Sequence, residues 1–402
     1  MLDAGGGQCI TALCVSDSES IRYSTLRKGE GWKTTLTDIE NASKVGSNLE
    51  AVKMELNSGL RDSYNIFYRV YLQNHGWLGW ARNGETAGSI DANLNVQQVQ
   101  IKIVRNDVVP QLESSPAKAT FVFDATRQAI SQSDGSRSKV LAIGSGNNKK
   151  FFKPPEYNVR NGGNKYIWVD ILNIKENTDT KIRNISASRI EKLLGLSNVI
   201  SKAEYAILRR RGLPDVQGAL IDNVENGMDW FPFRAINNKT ISPSLQHSLS
   251  TLMVLDGLIA QVDRPPWNYS LILSHNTKRA LRVVGYDQDC TFGNIRDLSP
   301  HGWFPGLVAA DNKLTLPHMD KRLANRILKV SDNQIRATLF DTLEPEYIEA
   351  TISRWNQLKS AIKNTAATNP QFLLNASEWS PKTINDELNC PYGTYLKMLR
   401  DM

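Results

Sequence analysis

The chain has 402 residues, 41% of them hydrophobic and 22% charged, a length that predicts two or three domains and a composition that excludes disorder over most of it. Its 48 Lys and Arg against 41 Asp and Glu give a formal charge of +7, a bias that suits anionic ligands but is too weak to indicate nucleic acid. The longest apolar stretch, Leu249 to Val262, is interrupted by Ser250, Thr251 and Asp256, well short of the roughly 20 apolar residues a transmembrane segment needs.

Residues 1–19 read as an N-terminal tail. Met1-Leu2-Asp3 lacks the basic segment and apolar run of a secretory leader, so an effector exported by another route and a cytoplasmic protein both fit. Cys9, Cys14, Cys290 and Cys390 are scattered and no His lies near the first pair, which predicts free thiols.

Residues 20–105 contain an internal repeat. A shift of 45 positions aligns Tyr23 with Tyr68, Gly31-Trp32 with Gly76-Trp77, Ala42 with Ala87, and Asn48-Leu49 with Asn93-Leu94. After a two-residue insertion, Val52, Met54 and Leu56 match Val99, Ile101 and Ile103, the period of half-buried strands. The second copy, Tyr68 to Ala81 followed by Asn83 to Gly88, resembles the clostridial hydrophobic tryptophan-containing (ChW) repeat; in the first copy Thr35 stands in place of the second Trp. The resemblance implies a role in attachment, with a carbohydrate or a protein as ligand. Trp77 and Trp80 could stack on that ligand or fill a small β core.

Asp107 to Lys118, with Pro110, Pro116 and the Ser114-Ser115 pair, reads as a linker within residues 106–120. Strand-like runs follow at Val140 to Ile143, Phe151 to Lys153, Lys165 to Val169, Ala203 to Leu208 and Gly218 to Asp222. Helical spacing dominates later, at Leu245 to Ala260, Lys321 to Val330 and Glu346 to Lys363. The predicted class is α+β: a small β-rich repeat domain, then a bilobal domain over residues 121–402. Its β-rich lobe would end near residue 225 and a helical lobe would follow, the outline of a protein kinase.

The residues with the most chemical content lie after the Leu249 helix. In Gln261-Val262-Asp263-Arg264-Pro265-Pro266-Trp267-Asn268-Tyr269, an Asp and an Asn stand five positions apart. Two strand-like runs, Ser270 to Leu273 and Leu281 to Tyr286, then lead to Asp287-Gln288-Asp289-Cys290-Thr291-Phe292-Gly293. Phosphoryl transfer needs such a set: Asp263 to orient or accept the hydroxyl proton, Asn268 to help hold Mg²⁺, and Asp287 to bind the metal bridging the nucleotide phosphates. Asp289 competes for the metal role; Asp287 is preferred because it directly follows the apolar run.

This pattern resembles the loops of the phosphatidylinositol 3/4-kinase-like and HipA-like branch of the kinase superfamily, where D-R-x-x-x-N replaces the H-R-D loop. The resemblance spans about residues 120 to 365 and implies ATP as cofactor with Mg²⁺. It also implies a glycine turn and a lysine upstream, and Gly144-Ser145-Gly146 followed by Lys153 in Phe151-Phe152-Lys153-Pro154 supplies both. Lys149 and Lys150 are alternatives, read as solvated turn residues. The family's acidic partner for the lysine would lie about eleven residues before Gly195 of Leu194-Gly195-Leu196, where this chain has Asn184; Glu191 is the nearest acid and reads as solvent-facing.

The five His residues form no H-E-x-x-H pattern and no G-x-S-x-G elbow occurs, so metallopeptidase and α/β-hydrolase readings lack support. The expected function is an ATP-dependent kinase, with a protein as the expected acceptor and the tryptophan repeats docking it to a target or surface. Lipid phosphorylation, nucleotidyl transfer and an inactive scaffold on the same fold remain alternatives.

Overall fold

Alternating apolar residues build strands over the first half of the chain and helically spaced apolar residues build helices over the second, so the protein is α+β. The computed structural model describes residues 2–3, 20–35, 49–115, 117–132, 140–155, 160–161, 164–165, 167–175, 178–229, 241–274 and 280–401. Two compact units emerge, one of Met1–Pro155 with Ala203–Ile221 and one of Glu156–Lys202 with Asp222–Met402.

In the first unit, ten strands among the described residues form one sheet. Its order is Ile130–Gln132, Leu141–Ile143, Lys150–Lys153, Leu213–Asp222, Ala203–Arg210, Phe121–Asp124, Ala87–Ile90, Leu49–Leu56, Ile21–Arg27 and Gly31–Thr35. Repeat strands and later strands join where Phe121–Asp124 pairs in parallel with Ala87–Ile90, Phe121 opposite Gly88. Only glycine fits at that seam: Gly88 has φ +134°, and a Cβ there would lie 2.3 Å from the Glu50 carbonyl oxygen.

A second sheet, in which Tyr64–Leu72 pairs with Val96–Arg105, belongs to the same unit. Ile66, Tyr68, Val70, Leu72 and Val99 share an apolar core with Val52, Met54 and Leu56, and also with Val122 and Ile207. The predicted alternation therefore holds from Val52 to Leu56, whereas Leu49, Glu50 and Ala51 before it are all buried. It fades along Val96–Arg105, where Ile103 near the strand end is 48% exposed.

The stretch read as a linker is fastened to the second repeat. Trp80 Nε1 donates to the Glu113 carbonyl at 3.0 Å, Arg69 to the Ser114 carbonyl at 3.2 Å, and Ser115 Oγ to the Trp77 carbonyl at 2.6 Å. Lys118 and Ala119 amides both donate to Gln217 Oε1 at 3.0 Å. The boundary expected at residues 106–120 thus runs through one unit.

The tryptophans differ from one another. Trp80 is buried and Trp77 half-buried, and the Arg69 guanidinium lies 4.7 Å from the Trp77 ring and 4.9 Å from the Trp80 ring. Tyr71 meets Trp77 edge-on at 5.6 Å. Core filling describes Trp80, whereas Trp77 keeps some access to solvent.

In the second unit, helices α1 (Ile167–Ile171), α2 (Arg183–Leu193), α3 (Pro243–Ile259), α4 (Lys321–Lys329), α5 (Asp332–Leu339), α6 (Pro345–Thr368), α7 (Pro381–Asn389) and α8 (Tyr395–Asp401) surround a small sheet. That sheet has the order Gly227–Asp229, Tyr269–Leu273, Ala280–Gly285. Ser242 caps α3 by accepting from the Leu245 amide at 3.1 Å, with Pro243 in the first turn. Leu249, Leu252, Met253 and Leu255 of α3 join Tyr347, Trp355 and Leu358 of α6 in the main core.

The strand expected at Lys165 to Val169 is instead a two-residue strand, Asn164–Lys165, followed by α1. Trp168, Val169, Ile171 and Leu172 there cluster with Ala260, Val262, Cys290 and Ile295, a packing demand that overrides β propensity. Cys290 and Cys390 are free thiols, and Cys9 and Cys14 lie outside the described residues. No helix among the described residues is long and apolar enough to cross a membrane.

Two stability outcomes follow from the first unit. Trp80→Ala should lower unfolding free energy by about 3 kcal/mol, and Trp77→Ala by no more than about half of that, in urea titrations. Deleting Met1 to Arg105 should strip Ala87–Ile90 from the Phe121–Asp124 edge and give an insoluble product; a soluble fragment with cooperative unfolding would show that residues 106–402 fold alone.

Candidate active site

Helix α3 ends at Ala260 in a left-handed conformation, φ 50°, which turns the chain sharply into the loop Gln261–Asn268. That loop closes in the short turn Pro266–Asn268 and enters the strand Tyr269–Leu273. The partner strand Ala280–Gly285 returns and delivers Asp287, itself at φ +60°. Reciprocal bonds join the two segments. The Val262 amide donates to the Cys290 carbonyl at 3.1 Å, Tyr286 to the Asn268 carbonyl at 3.0 Å, and Phe292 to the Ile259 carbonyl at 2.7 Å.

Side chains complete the brace. Gln261 accepts from the Asp263 amide at 3.0 Å and donates to the Asp287 carbonyl at 3.0 Å. Asn268 Nδ2 donates to the Asp263 carbonyl at 2.9 Å. The buried Cys290 thiol, 3.9 Å from Asp263 Oδ2, is pushed well above its usual pKa by burial first and then by the fields of Asp287, Asp263 and Asp289. Three carboxylates thus surround one inert thiol.

Their environments separate them. Asp263 and Asp287 are half-buried, whereas Asp289 is buried and ion-paired with Lys181, a buried lysine just before α2. Asn184 of α2 donates to Asp289 at 2.6 Å and accepts from the Gln288 amide at 3.0 Å. The position where the resemblance calls for an acid therefore braces the segment after Asp287. Glu191 is not solvent-facing: it is buried and accepts from the Val199 and Ile200 amides at 2.6 and 3.1 Å, and burial raises its pKa against those bonds.

At the centre lies a group to which the motif assigned no role. Arg264, fully buried, grips Asp256 of α3 with bonds of 2.8 and 3.0 Å. It also donates to the Asn268 carbonyl at 2.7 Å, the Tyr286 carbonyl at 2.5 Å and Gln288 Oε1 at 2.8 Å. Burial opposes its charge most, but the field and hydrogen bonds of Asp256, with the fields of Tyr395 and Asp287, leave its pKa raised. Tyr395 of α8 donates to Asp256 at 2.8 Å. An Asp within the apolar run Leu252 to Ile259 was the available signal, because a buried carboxylate must find a partner.

A divalent cation fits these donors. The Asn268 nitrogen is engaged by the Asp263 carbonyl, which leaves its side-chain oxygen as the ligand atom, and Asp287 supplies a carboxylate; both are hard oxygen donors suited to Mg²⁺. Among the described residues no three His, Cys, Asp or Glu side chains form a self-sufficient cage. A cation on Asn268 and Asp287 would therefore complete its shell with phosphate and water.

In the first unit, the strands Leu141–Ile143 and Lys150–Lys153 pair antiparallel around the glycine turn, Ile143 opposite Lys150. Gly144 at φ +73° and Gly146 at φ +59° hold backbone conformations that L side chains rarely adopt. Lys153 is buried, whereas Lys149 and Lys150 are only half-buried and Lys149 lies over the Phe151 ring. Gly218 on the adjacent strand permits the close approach of Lys153, because a Cβ there would stand 2.4 Å from the Lys153 carbonyl oxygen.

Residues 71–105 match the family described as ChW, Clostridial hydrophobic W. No curated protein matches the chain. Solved structures similar to it include a Helicobacter pylori proinflammatory kinase, CtkA, at 14% identity and TM-score 0.39, covering 63% of this chain and 99% of that one. Another is the Golgi casein kinase, at 10% identity and TM-score 0.40, covering 63% of this chain and 76% of that one.

The Asp289 cluster makes a direct stability prediction. Lys181→Met strands a buried carboxylate and should cost about 3–5 kcal/mol, whereas Asn184→Ala leaves the ion pair in place, removes one bond to that carboxylate and one from the Gln288 amide, and should cost about 1–3 kcal/mol. In thermal unfolding, Lys181→Met with Asp289→Asn should recover much of the loss of Lys181→Met alone. Equal melting temperatures for the three variants would show that the pair carries no such energy.

Proposed function

We propose that the protein is an ATP- and Mg²⁺-dependent phosphotransferase of the HipA-like and phosphatidylinositol 3/4-kinase-like type, with a protein hydroxyl as acceptor. The observation that carries this reading is the brace between Gln261–Asn268 and Tyr286–Phe292. It holds Asp263, Asn268 and Asp287 on two adjoining loops in the order and chemistry that phosphoryl transfer uses.

Asp263 would orient the acceptor hydroxyl and take its proton as the hydroxyl oxygen bonds to the γ-phosphorus and the bond from that phosphorus to the departing ADP oxygen breaks. Its backbone is fixed on both sides, the amide to Gln261 and the carbonyl to Asn268, so the carboxylate meets the acceptor with little reorganisation. Asn268 and Asp287 hold the cation. When bound, Mg²⁺ would neutralise charge on the nucleotide phosphates. Lys153, with backbone amides of Gly144, Ser145 and Gly146, is assigned to those phosphates, a role suited to a lysine pinned on a strand. Asp289 is left to structure by its pairing with Lys181. The second repeat is assigned a docking role through the exposed part of Trp77.

Incubation of the full chain with Mg²⁺ and either γ-labelled or α-labelled ATP tests the reaction class. Label transferred from the γ position supports the proposal. Transfer from the α position indicates nucleotidyl transfer, and no transfer indicates a scaffold. Asp263→Ala should slow transfer by roughly a hundredfold or more while ATP still binds. Asp287→Ala should abolish Mg²⁺-dependent turnover, and Lys153→Ala should weaken ATP binding or transfer more than Lys149→Ala or Lys150→Ala. Full turnover by Asp287→Ala would remove the metal role from that residue.

A further inference from the structure

Large aromatic residues of the second unit are mostly interior: Trp355, Tyr269, Tyr347, Tyr395 and Phe292 are fully or almost fully buried. Among the described residues, Trp267, Trp303 and Tyr392 depart from that pattern, and the two indoles do so together. Trp267 is 44% exposed and Trp303 is 42% exposed, and they touch each other, ring centroids 5.5 Å apart at an interplanar angle of 74°. Trp267 sits in the loop that carries Asp263 and Asn268. Its carbonyl accepts from the Tyr286 hydroxyl, one residue before Asp287.

Trp303 reaches the same place from a separate turn. Its amide donates at 2.8 Å to the carbonyl of Val262, the residue before Asp263. Gly302, at φ +57°, allows that contact, because a Cβ would lie 2.3 Å from the same carbonyl oxygen. His301 and Phe304 exchange backbone bonds at 3.0 and 2.9 Å across the turn, and Phe304 is anchored in the core. The fold thus holds the turn rigidly yet leaves the indole outside, although one exposed indole removes much of the gain that burying a Trp would bring.

We infer that Trp267 and Trp303 form the acceptor-recognition surface beside Asp263, and that they select a peptide carrying an aromatic, leucine or proline side chain close to its acceptor hydroxyl. This deepens the phosphotransferase reading and rests on it. Two indoles in an edge-to-face arrangement make a right-angled corner, with one ring's face meeting the other's edge, which matches a compact apolar side chain. What the two rings present is apolar area, which a hydrophobic side chain can cover without needing a hydrogen-bond partner.

The test uses the full chain and two Ser-containing peptides of identical length, one with Phe and one with Asp two residues from the Ser. Binding is followed without nucleotide by quenching of tryptophan fluorescence, and transfer with γ-labelled ATP. The Phe peptide should bind and react preferentially. Trp267→Ala and Trp303→Ala should each raise its KM roughly tenfold with little change in kcat, the loss expected for an aromatic contact. Trp303→Phe should retain most of the affinity. Tyr392→Ala, which alters an exposed aromatic elsewhere in the unit, should leave both values as they are.

Peptide binding that depends on both indoles but is not followed by transfer would sustain the recognition surface and defeat the phosphotransferase reading. Transfer that ignores the Phe and survives both substitutions would do the reverse. Loss of binding to phosphatidylcholine–phosphatidylserine vesicles or to oligosaccharides in the two variants, with peptide KM unmoved, would overturn the inference in favour of a membrane or a sugar.

Discussion

The buried ion pair between Arg264 and Asp256 is the constraint on which the candidate site depends. Neither side chain has solvent, so each charge is tolerable only because the other is there and the remaining guanidinium protons find acceptors. Those acceptors are the carbonyl of Asn268 on the Asp263 loop, and the Tyr286 carbonyl and Gln288 side chain on the Asp287 segment. A guanidinium has five donors in a fixed plane, and here its geometry sets the spacing of α3, the Asp263 loop and the Asp287 loop together. Lysine could not replace it. Gly285 belongs to the same constraint, because a Cβ there would stand 3.0 Å from the guanidinium carbon.

Within that frame, similar carboxylates acquire different chemistry from their surroundings. Asp289 is withdrawn from water, neutralised by Lys181 and hydrogen-bonded by Asn184; binding a cation would mean giving up a buried ion pair. Asp287, two residues earlier, keeps access to solvent because its left-handed backbone turns the chain between the two positions. Asp263 is also half-buried, and its backbone is held on both sides by Gln261 and Asn268. The division follows the usual logic of sites in which neighbouring acids have separate tasks set by burial and partners.

Much of this was legible in one sequence, and the remainder was hidden for physical reasons. Helices at Leu245 to Ala260 and Glu346 to Lys363 follow a 3.6-residue apolar period, and α3 and α6 lie there. The two runs flanking the candidate loops are strands, as their apolar character indicates. Lys165 to Val169 misleads because five apolar-rich residues fit either a strand or one helical turn, and only contacts with Val262 and Cys290 choose between them. The roles of Asn184 and Glu191 are invisible for a different reason. Each depends on a hydrogen-bond partner fixed by the fold, Asp289 and Gln288 far along the chain for one and the amides of Val199 and Ile200 for the other. No spacing rule connects Asn184 to residues more than a hundred positions away.

The same reasoning changes what the tryptophan repeats are for. Read linearly, they are an appendage separated by a proline-bearing linker; in three dimensions their strand Ala87–Ile90 covers one side of Phe121–Asp124, whose other side meets Ala203–Arg210. An uncovered strand at that position would present unpaired backbone groups beside the apolar side chains of Phe121 and Phe123, a template for aggregation. The repeats therefore complete a sheet before they do anything else. Arg69 between Trp77 and Trp80 is consistent with that priority, since an indole face covered by a guanidinium is already engaged. Any docking role must use what this structural task leaves open, chiefly the exposed part of Trp77, since Trp32 of the first copy, though 37% exposed, has the Lys53 ammonium over its ring at 4.3 Å. Gly88 belongs to that structural task, because any side chain there would meet the Glu50 carbonyl and strain the sheet that also carries Lys153.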